Sequence, residues 1–174
     1  EGVDAIWVAS KVISGIQELI TRQLDPLDPV VITFGKINGG SAFNVLAEKV
    51  NLIGTVRCTN LELFRNIGNW LSKNISSLAN SCGADAKVIF REITPPVNNN
   101  FEINRVFRDS AIKLLGQENV IELQKPSLGA EDFAEFLNEI PGAMFRLGVS
   151  GSNGCAPLHS SKFNPDERAI AVGI

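Results

Sequence analysis

The sequence predicts an α+β unit, a small sheet covered by two helices, followed by a segment of α/β character. Three observations carry this. Apolar residues recur at steps of three and four over residues 6–20 and 64–78. They alternate over residues 30–34, 50–58 and 84–90. Pro95-Pro96 then separates this half from one with different patterning.

Taken in order, Asp4 reads as an N-cap, and Ile6, Ala9, Ile13, Ile16 and Ile20 form one apolar helical face. Pro26 and Pro29 end that helix and start an extended segment. Val30, Ile32 and Phe34 alternate with Val31 and Thr33, the pattern of a strand buried largely on both faces. After Gly39-Gly40, a second strand is expected from about Val45 to Cys58, with Val50, Leu52, Val56 and Cys58 on one side. Thr59-Asn60-Leu61-Glu62 reads as a capping box with Thr59 at the N-cap. Phe64, Ile67, Leu71, Ile75 and Leu78 give the second helical face, and Gly83 stops it. Ala84, Ala86, Val88 and Phe90 alternate as a third strand. One more strand ahead of residue 1 would complete a split β-α-β-β-α-β unit.

The second half starts after Val97-Asn98-Asn99-Asn100. Ile103, Phe107, Ala111 and Leu114 form a helical face that ends at Gly116. A short extended piece at Val120-Ile121, a short helix over about Ala130–Leu137 and a buried strand over Ala143–Val149 are expected next. The loop Ser150–Gly154 follows, and Asn164-Pro165-Asp166-Glu167 has the signature of a helix start.

Bulk composition narrows the function classes. The 174 residues are 44% apolar with a net charge of −3, the profile of a globular chain with a core. No basic patch or stripe suggests nucleic acid as a partner. No apolar run reaches the roughly 18 residues that span a bilayer. No leader pattern of basic and apolar regions opens the chain, and a cytoplasmic location with no membrane partner is expected. Cys58, Cys82 and Cys155 are odd in number and widely spaced, which fits reduced thiols better than a zinc ribbon or a redox pair. Asn74-Ile75-Ser76 matches a glycosylation sequon, but it falls inside a helical pattern.

Candidate chemistry is sparse. His159 is the single histidine, whereas open catalytic zinc sites draw on two or three histidines with a carboxylate or a cysteine. It sits in the loop Cys155-Ala156-Pro157-Leu158-His159-Ser160-Ser161, between a predicted strand and a predicted helix, where functional groups concentrate. A lone loop histidine is nevertheless most often a surface residue. Glu131 and Asp132 stand near a helix start, where acids favour the helix dipole without any catalytic role. Asn44 reads equally as a solvated loop residue. Neither Gly-rich phosphate-binding pattern occurs.

The ordered series changes that balance. Gly39-Gly40-Ser41-Ala42-Phe43-Asn44-Val45, then Gly54-Thr55-Val56-Arg57, Gly129-Ala130-Glu131-Asp132-Phe133, Pro141-Gly142-Ala143-Met144-Phe145-Arg146-Leu147-Gly148-Val149 and Pro157-Leu158-His159-Ser160 resembles the amidohydrolase branch of the aminoacylase/carboxypeptidase metallopeptidases. That branch includes N-acyl-amino-acid amidohydrolases, hippurate hydrolase and hydrolases of indole-acetyl-amino acids. Each motif alone is weak, but five in order cover essentially the whole chain.

The resemblance implies an architecture and a site. Residues 1–97 would be most of a split β-α-β-β-α-β lid, or dimerisation, domain lacking its first strand. Residues 98–174 would be the C-terminal segment of an α/β metallohydrolase catalytic domain. Glu1-Gly2-Val3-Asp4 resembles the segment just after the family's lid histidine. Most of the metal ligands and the general base would then lie outside this sequence, so no catalytic residue is expected in it and the chain alone should be inactive. His159 matches a metal ligand, and Asn44 matches a lid asparagine that helps bind substrate. The Ile-Pro that usually follows that asparagine's valine is replaced by Leu46-Ala47, which removes a rigid turn restraint. Two divalent ions (zinc, manganese or cobalt), an N-acyl amino acid as substrate and a homodimer formed through the lid are implied as partners. Two other readings stay open, a non-catalytic dimerisation or regulatory module and a dipeptidase or carboxypeptidase of the same family.

Overall fold

The computed structural model describes residues 2–152 and 154–174. Glu1 and one residue of the Ser150–Gly154 loop, Asn153, lie outside that description. The elements run α1 (Ala5–Gln23), β1 (Val30–Gly39), β2 (Val50–Cys58), α2 (Leu61–Ser81), α3 (Phe101–Leu115), α4 (Phe133–Glu139) and α5 (Ala169–Gly173).

Asp4 caps α1 as expected, its carboxylate accepting from the amides of Ile6 at 2.9 Å and Trp7 at 3.4 Å. The buried stripe is Val8, Ala9, Val12 and Ile16, so the helix is turned from the predicted face and Ile6 is exposed. Val8, Val12 and Ile16 form an i, i+4 row that packs with Ile67 and Leu71 of α2 and Ile32 of β1. Side chains tie the same layers together: Gln17 donates to the Ile32 carbonyl at 2.9 Å, and the Trp70 indole donates to Gln23 at 3.1 Å.

β1 and β2 form an antiparallel pair, from Val30 opposite Cys58 to Gly39 opposite Val50, with an irregularity between Phe34 and Lys36. β1 is not buried on both faces, contrary to the expectation from its alternation. Only Ile32 is buried, because the helices cover a single face of the sheet. β2 starts at Val50 rather than near Val45, since residues 40–49 form the hairpin loop.

The N-cap of α2 is Asn60, one residue after the expected Thr59. Its amide does two jobs through two separate atoms, the oxygen accepting from the Leu63 amide at 2.9 Å and the nitrogen donating to Asp28 at 2.8 Å. Gly83, at φ +78, ends the helix as predicted, and the amide of Ala84 reaches back to the Ala79 carbonyl at 3.1 Å. Asn74 of the sequon is buried, with its amide on the Trp70 carbonyl.

Residues 84–90 keep the predicted alternation, with Ala84, Ala86, Val88 and Phe90 half-buried, but they join no ladder. Phe90 packs so closely on α2 that a Cβ on Gly68 would lie 2.5 Å from its ring. At the entry to α1, Val3 lies against Gly83, and the Ala5 amide donates to the Ala47 carbonyl at 3.0 Å.

The second half is loosely packed. α3 buries no residue, although Asn100 caps it by accepting from Ile103 at 3.1 Å. Ala134 of α4 is its one buried residue. Among the described residues the strand expected at Ala143–Val149 pairs with no other strand, and Phe145 and Leu147 are exposed. Its fixed point is Asn99, whose side chain accepts from the Met144 amide and donates to the Met144 carbonyl, each at 2.9 Å. α4 begins at Phe133, later than expected. α5 begins at Ala169 rather than after Asn164, because the Asp166 amide is engaged by the Val149 carbonyl and its carboxylate by Arg168. Among the described residues no helix is long and apolar enough to cross a membrane.

Candidate functional site

His159 occupies the third position of a turn in which the Ser160 amide donates to the Pro157 carbonyl at 3.1 Å. Its φ is +68, and it is the sole non-glycine residue with positive φ among those described. A histidine tolerates this region better than a branched residue, yet the conformation costs about 1–2 kcal/mol against the right-handed one. The imidazole is exposed. Backbone strain of this kind is retained where the surroundings or the function require a particular side-chain direction.

The surroundings are well tied. Ser160 Oγ accepts from the Lys162 amide at 3.1 Å, and the Cys155 thiol donates to the Asn164 carbonyl at 3.2 Å. Gly151 lies against Asp166, where any Cβ would come 2.7 Å from a carboxylate oxygen. The Arg168 side chain and backbone hold the Asp166 carboxyl down at about 2.

Asn44 lies exposed in the hairpin loop between β1 and β2. A turn, Val45 amide to Ala42 carbonyl at 3.3 Å, shapes this tip. The Leu46-Ala47 departure does not leave the loop loose. Ala47 is buried, and its carbonyl accepts from the first residue of α1. Glu131 and Asp132 are exposed at the start of α4. Glu131 accepts from the Phe133 amide at 3.4 Å, a helix-start role that needs no chemistry.

Among the described residues no hydrogen bond joins His159, Asn44 and the Glu131-Asp132 pair to one another. Among the described residues no cluster of three or more His, Cys, Asp or Glu side chains could hold a metal ion. One exposed imidazole without a second donor does not fit a resident metal, so no catalytic step through one is derived from this chain. Cys58 is no substitute ligand: burial, then the nearby Asp28 charge, pushes its thiol up from the usual value.

Arg57 was not singled out by the sequence beyond its place in Gly54-Thr55-Val56-Arg57. Its exposed side chain leaves the end of β2 and donates to the Leu128 carbonyl at 2.7 Å, just ahead of Gly129-Ala130-Glu131-Asp132. Its parity, opposite to Val56 and Cys58, was the available signal that it points away from the helices.

The profile of peptidase family M20/M25/M40 matches residues 9–174. The chain is 38% identical to the "Probable hydrolase" of Synechocystis sp., over 100% of this chain and 45% of that protein. It is 33% identical to IAA-amino acid hydrolase ILR1-like 2 of Arabidopsis thaliana, over 98% of this chain and 39% of that protein. The chain thus spans less than half the length of these relatives. Among solved structures, it is similar to the Bacillus subtilis YXEP protein, described as a dinuclear metal binding peptidase from the M20 family. The TM-score is 0.76 and the identity 27%, over 98% of this chain and 43% of that one. With the ordered motifs, the strained histidine turn and a profile match over nearly its whole length, this chain belongs to peptidase family M20/M25/M40.

Proposed function

We propose that this chain is part of a metal-dependent amidohydrolase that cleaves the amide bond of N-acyl amino acids or related small conjugates. The observation that carries the reading is His159 at φ +68 in the Pro157–Ser160 turn, a strained and exposed imidazole in the motif that resembles the family's metal ligand. In this reading residues 1–97 are most of the lid, with its split four-stranded sheet completed by a further strand, and residues 98–174 close the catalytic domain. Names of relatives such as an IAA-amino acid hydrolase support an amino-acid conjugate as substrate. In the reaction, water adds to the amide carbonyl, the C–N bond breaks, and the nitrogen leaves protonated as an amino acid. Two divalent ions in the complete subunit, zinc, manganese or cobalt, would activate the water and polarise the carbonyl. His159 is the ligand this chain contributes. Asn44 donates its amide to substrate, and the enzyme works in the cytoplasm.

The hairpin supports a dimer. Asn44 lies beyond the Val50 end of β2, whereas Arg57 meets the second half at the other end. The strand between them spans roughly 23 Å at about 3.3 Å per residue. Asn44 is therefore better placed to serve a second copy, joined through the lid. A peptidase specificity within the same family is the second reading, favoured by the description of the YXEP protein.

The test is substitution in the complete protein, with metal analysis beside kinetics. His159→Ala should cost more than the roughly 10–100-fold losses typical of groups that merely support a ligand, together with bound metal. Asn44→Ala should keep its metal and lose turnover by about 2.7–4 kcal/mol, the cost of a missing donor to a developing oxyanion. Full metal occupancy and near-normal rate in His159→Ala would falsify the site. The 174-residue chain alone should hydrolyse no N-acyl amino acid above background with added zinc or manganese.

A further inference from the structure

We infer that Gly151 and Asp166 are a positioning pair for His159, closing the neck of the loop that presents its imidazole. The Asp166 amide donates to the Val149 carbonyl at 2.9 Å. Inside this closure the Cys155 thiol donates to the Asn164 carbonyl at 3.2 Å. The two bonds are nested, 149 with 166 and 155 with 164, and the Pro157–Ser160 turn that holds His159 lies within both. A thiol is a weak donor, so the outer closure is the stronger of the two, and the direction of the His159 side chain depends on it. That this direction serves catalysis rests on the reading of His159 as a metal ligand; the closure itself does not.

Position 151 is what lets the outer closure form. Gly151 is not one of the glycines with positive φ, so its backbone does not call for glycine. The neighbouring carboxylate does. A Cβ at 151 would lie 2.7 Å from Asp166 Oδ2 and 3.5 Å from both Cβ and Cγ of Asp166. The first distance is far inside the roughly 3.5–4.0 Å at which carbon atoms pack. Nor is the carboxylate free to swing aside. The Arg168 amide donates to Oδ1 at 3.0 Å, and the Arg168 Nε donates to Oδ1 at 3.0 Å and to Oδ2 at 3.1 Å. Hydrogen bonds to an ionised acceptor are stronger than those between neutral groups, and a carboxyl held at about 2 stays ionised at neutral pH. A methyl added at 151 therefore meets a fixed group, and the neck opens.

NMR on the 174-residue chain tests this without any turnover, so its outcome is separate from that of the hydrolase reading. His159 is the single histidine, and its ring gives one Cε1–H signal whose relaxation reports how firmly the imidazole is held. Gly151→Ala should speed exchange of the position-166 amide by about two- to tenfold, the range of one net hydrogen bond. The Ser160 amide should exchange about twofold faster or more, the His159 ring should become more mobile, and the β1–β2 amides should not change. In an Asp166→Ala background, where the carboxylate is gone, adding Gly151→Ala should alter none of these readouts further. The pair is overturned if the position-166 amide already exchanges at the unprotected rate in the unsubstituted chain. It is also overturned if Gly151→Ala leaves that amide unaffected, has the same effect in both backgrounds, or speeds the hairpin by the same factor. A faster position-166 amide with an unchanged Ser160 amide and His159 ring would equally overturn it, since the neck would then close without fixing the histidine.

Discussion

Replacing His159 by glycine should make its turn more stable while abolishing the role proposed for the side chain. At φ +68 a residue with a Cβ carries about 1–2 kcal/mol of left-handed strain, which glycine removes. Glycine also gains freedom in the unfolded chain, a loss of about 0.4–1 kcal/mol. The exposed imidazole makes little packing that its removal could forfeit. The balance favours glycine by about 0.5–1 kcal/mol, or roughly two- to fivefold in the population of the closed turn. Alanine keeps the Cβ and gains nothing. The amide of Ser160 reports on this directly, since it donates to the Pro157 carbonyl across the turn. Its exchange should slow by that factor in His159→Gly and stay near the original rate in His159→Ala. In the complete protein both variants should lose metal alike. If the glycine variant exchanges as fast as the original chain or faster, the strain argument fails, and with it the reason for reading this turn as functional.

Two further outcomes follow from local geometry. Asn99→Ala removes both 2.9 Å bonds to Met144 and should cost about 1–3 kcal/mol at about 0.5–1.5 each, read as a lower urea midpoint by circular dichroism; an unchanged midpoint would show that the 143–149 segment is held by other contacts. Asp166, with its carboxyl held at about 2, contributes stability that is present above the unfolded value of 3.8 and lost as pH falls through about 2. Arg168→Ala should move its NMR titration midpoint up toward 3.8, and a midpoint that stays near 2 would remove Arg168 as the cause.

The elements of the first half were legible because each is decided locally or by a face. Asp4 and Gly83 end their helices through their own chemistry, and both lie where expected. Errors arise where two signals overlap. Thr59 and Asn60 are both good caps, and the choice falls on Asn60 because Asp28, distant in sequence, takes its amide. Ile6, Ile13 and Ile20 compete with Val8 and Val12 for the same helix, and the packing of Ile32, Ile67 and Leu71 selects the second row. Alternation in 84–90 reports a covered face truthfully, since those residues do lie half-buried under α2. It carries no information about the edges, and pairing is decided there.

The candidate site was less legible for a related reason. Apolar runs such as Ala143–Val149 announce that a segment suits burial, without saying what covers it, and among the described residues no strand pairs with it and Phe145 and Leu147 stay exposed. Motif order pointed to His159, and the turn adds what no spacing could, a backbone strained into the left-handed region at that one residue. The same order pointed to Glu131 and Asp132, yet their hydrogen bonds are those of a helix start. Arg57 shows the opposite case. Its side of β2 could be read from parity, but its acceptor is a main-chain carbonyl, which has no residue identity. A contact of this kind leaves no sequence pattern at position 128, because any residue there offers the same oxygen. Such a contact follows from how the two halves meet in the fold, and no motif announces it.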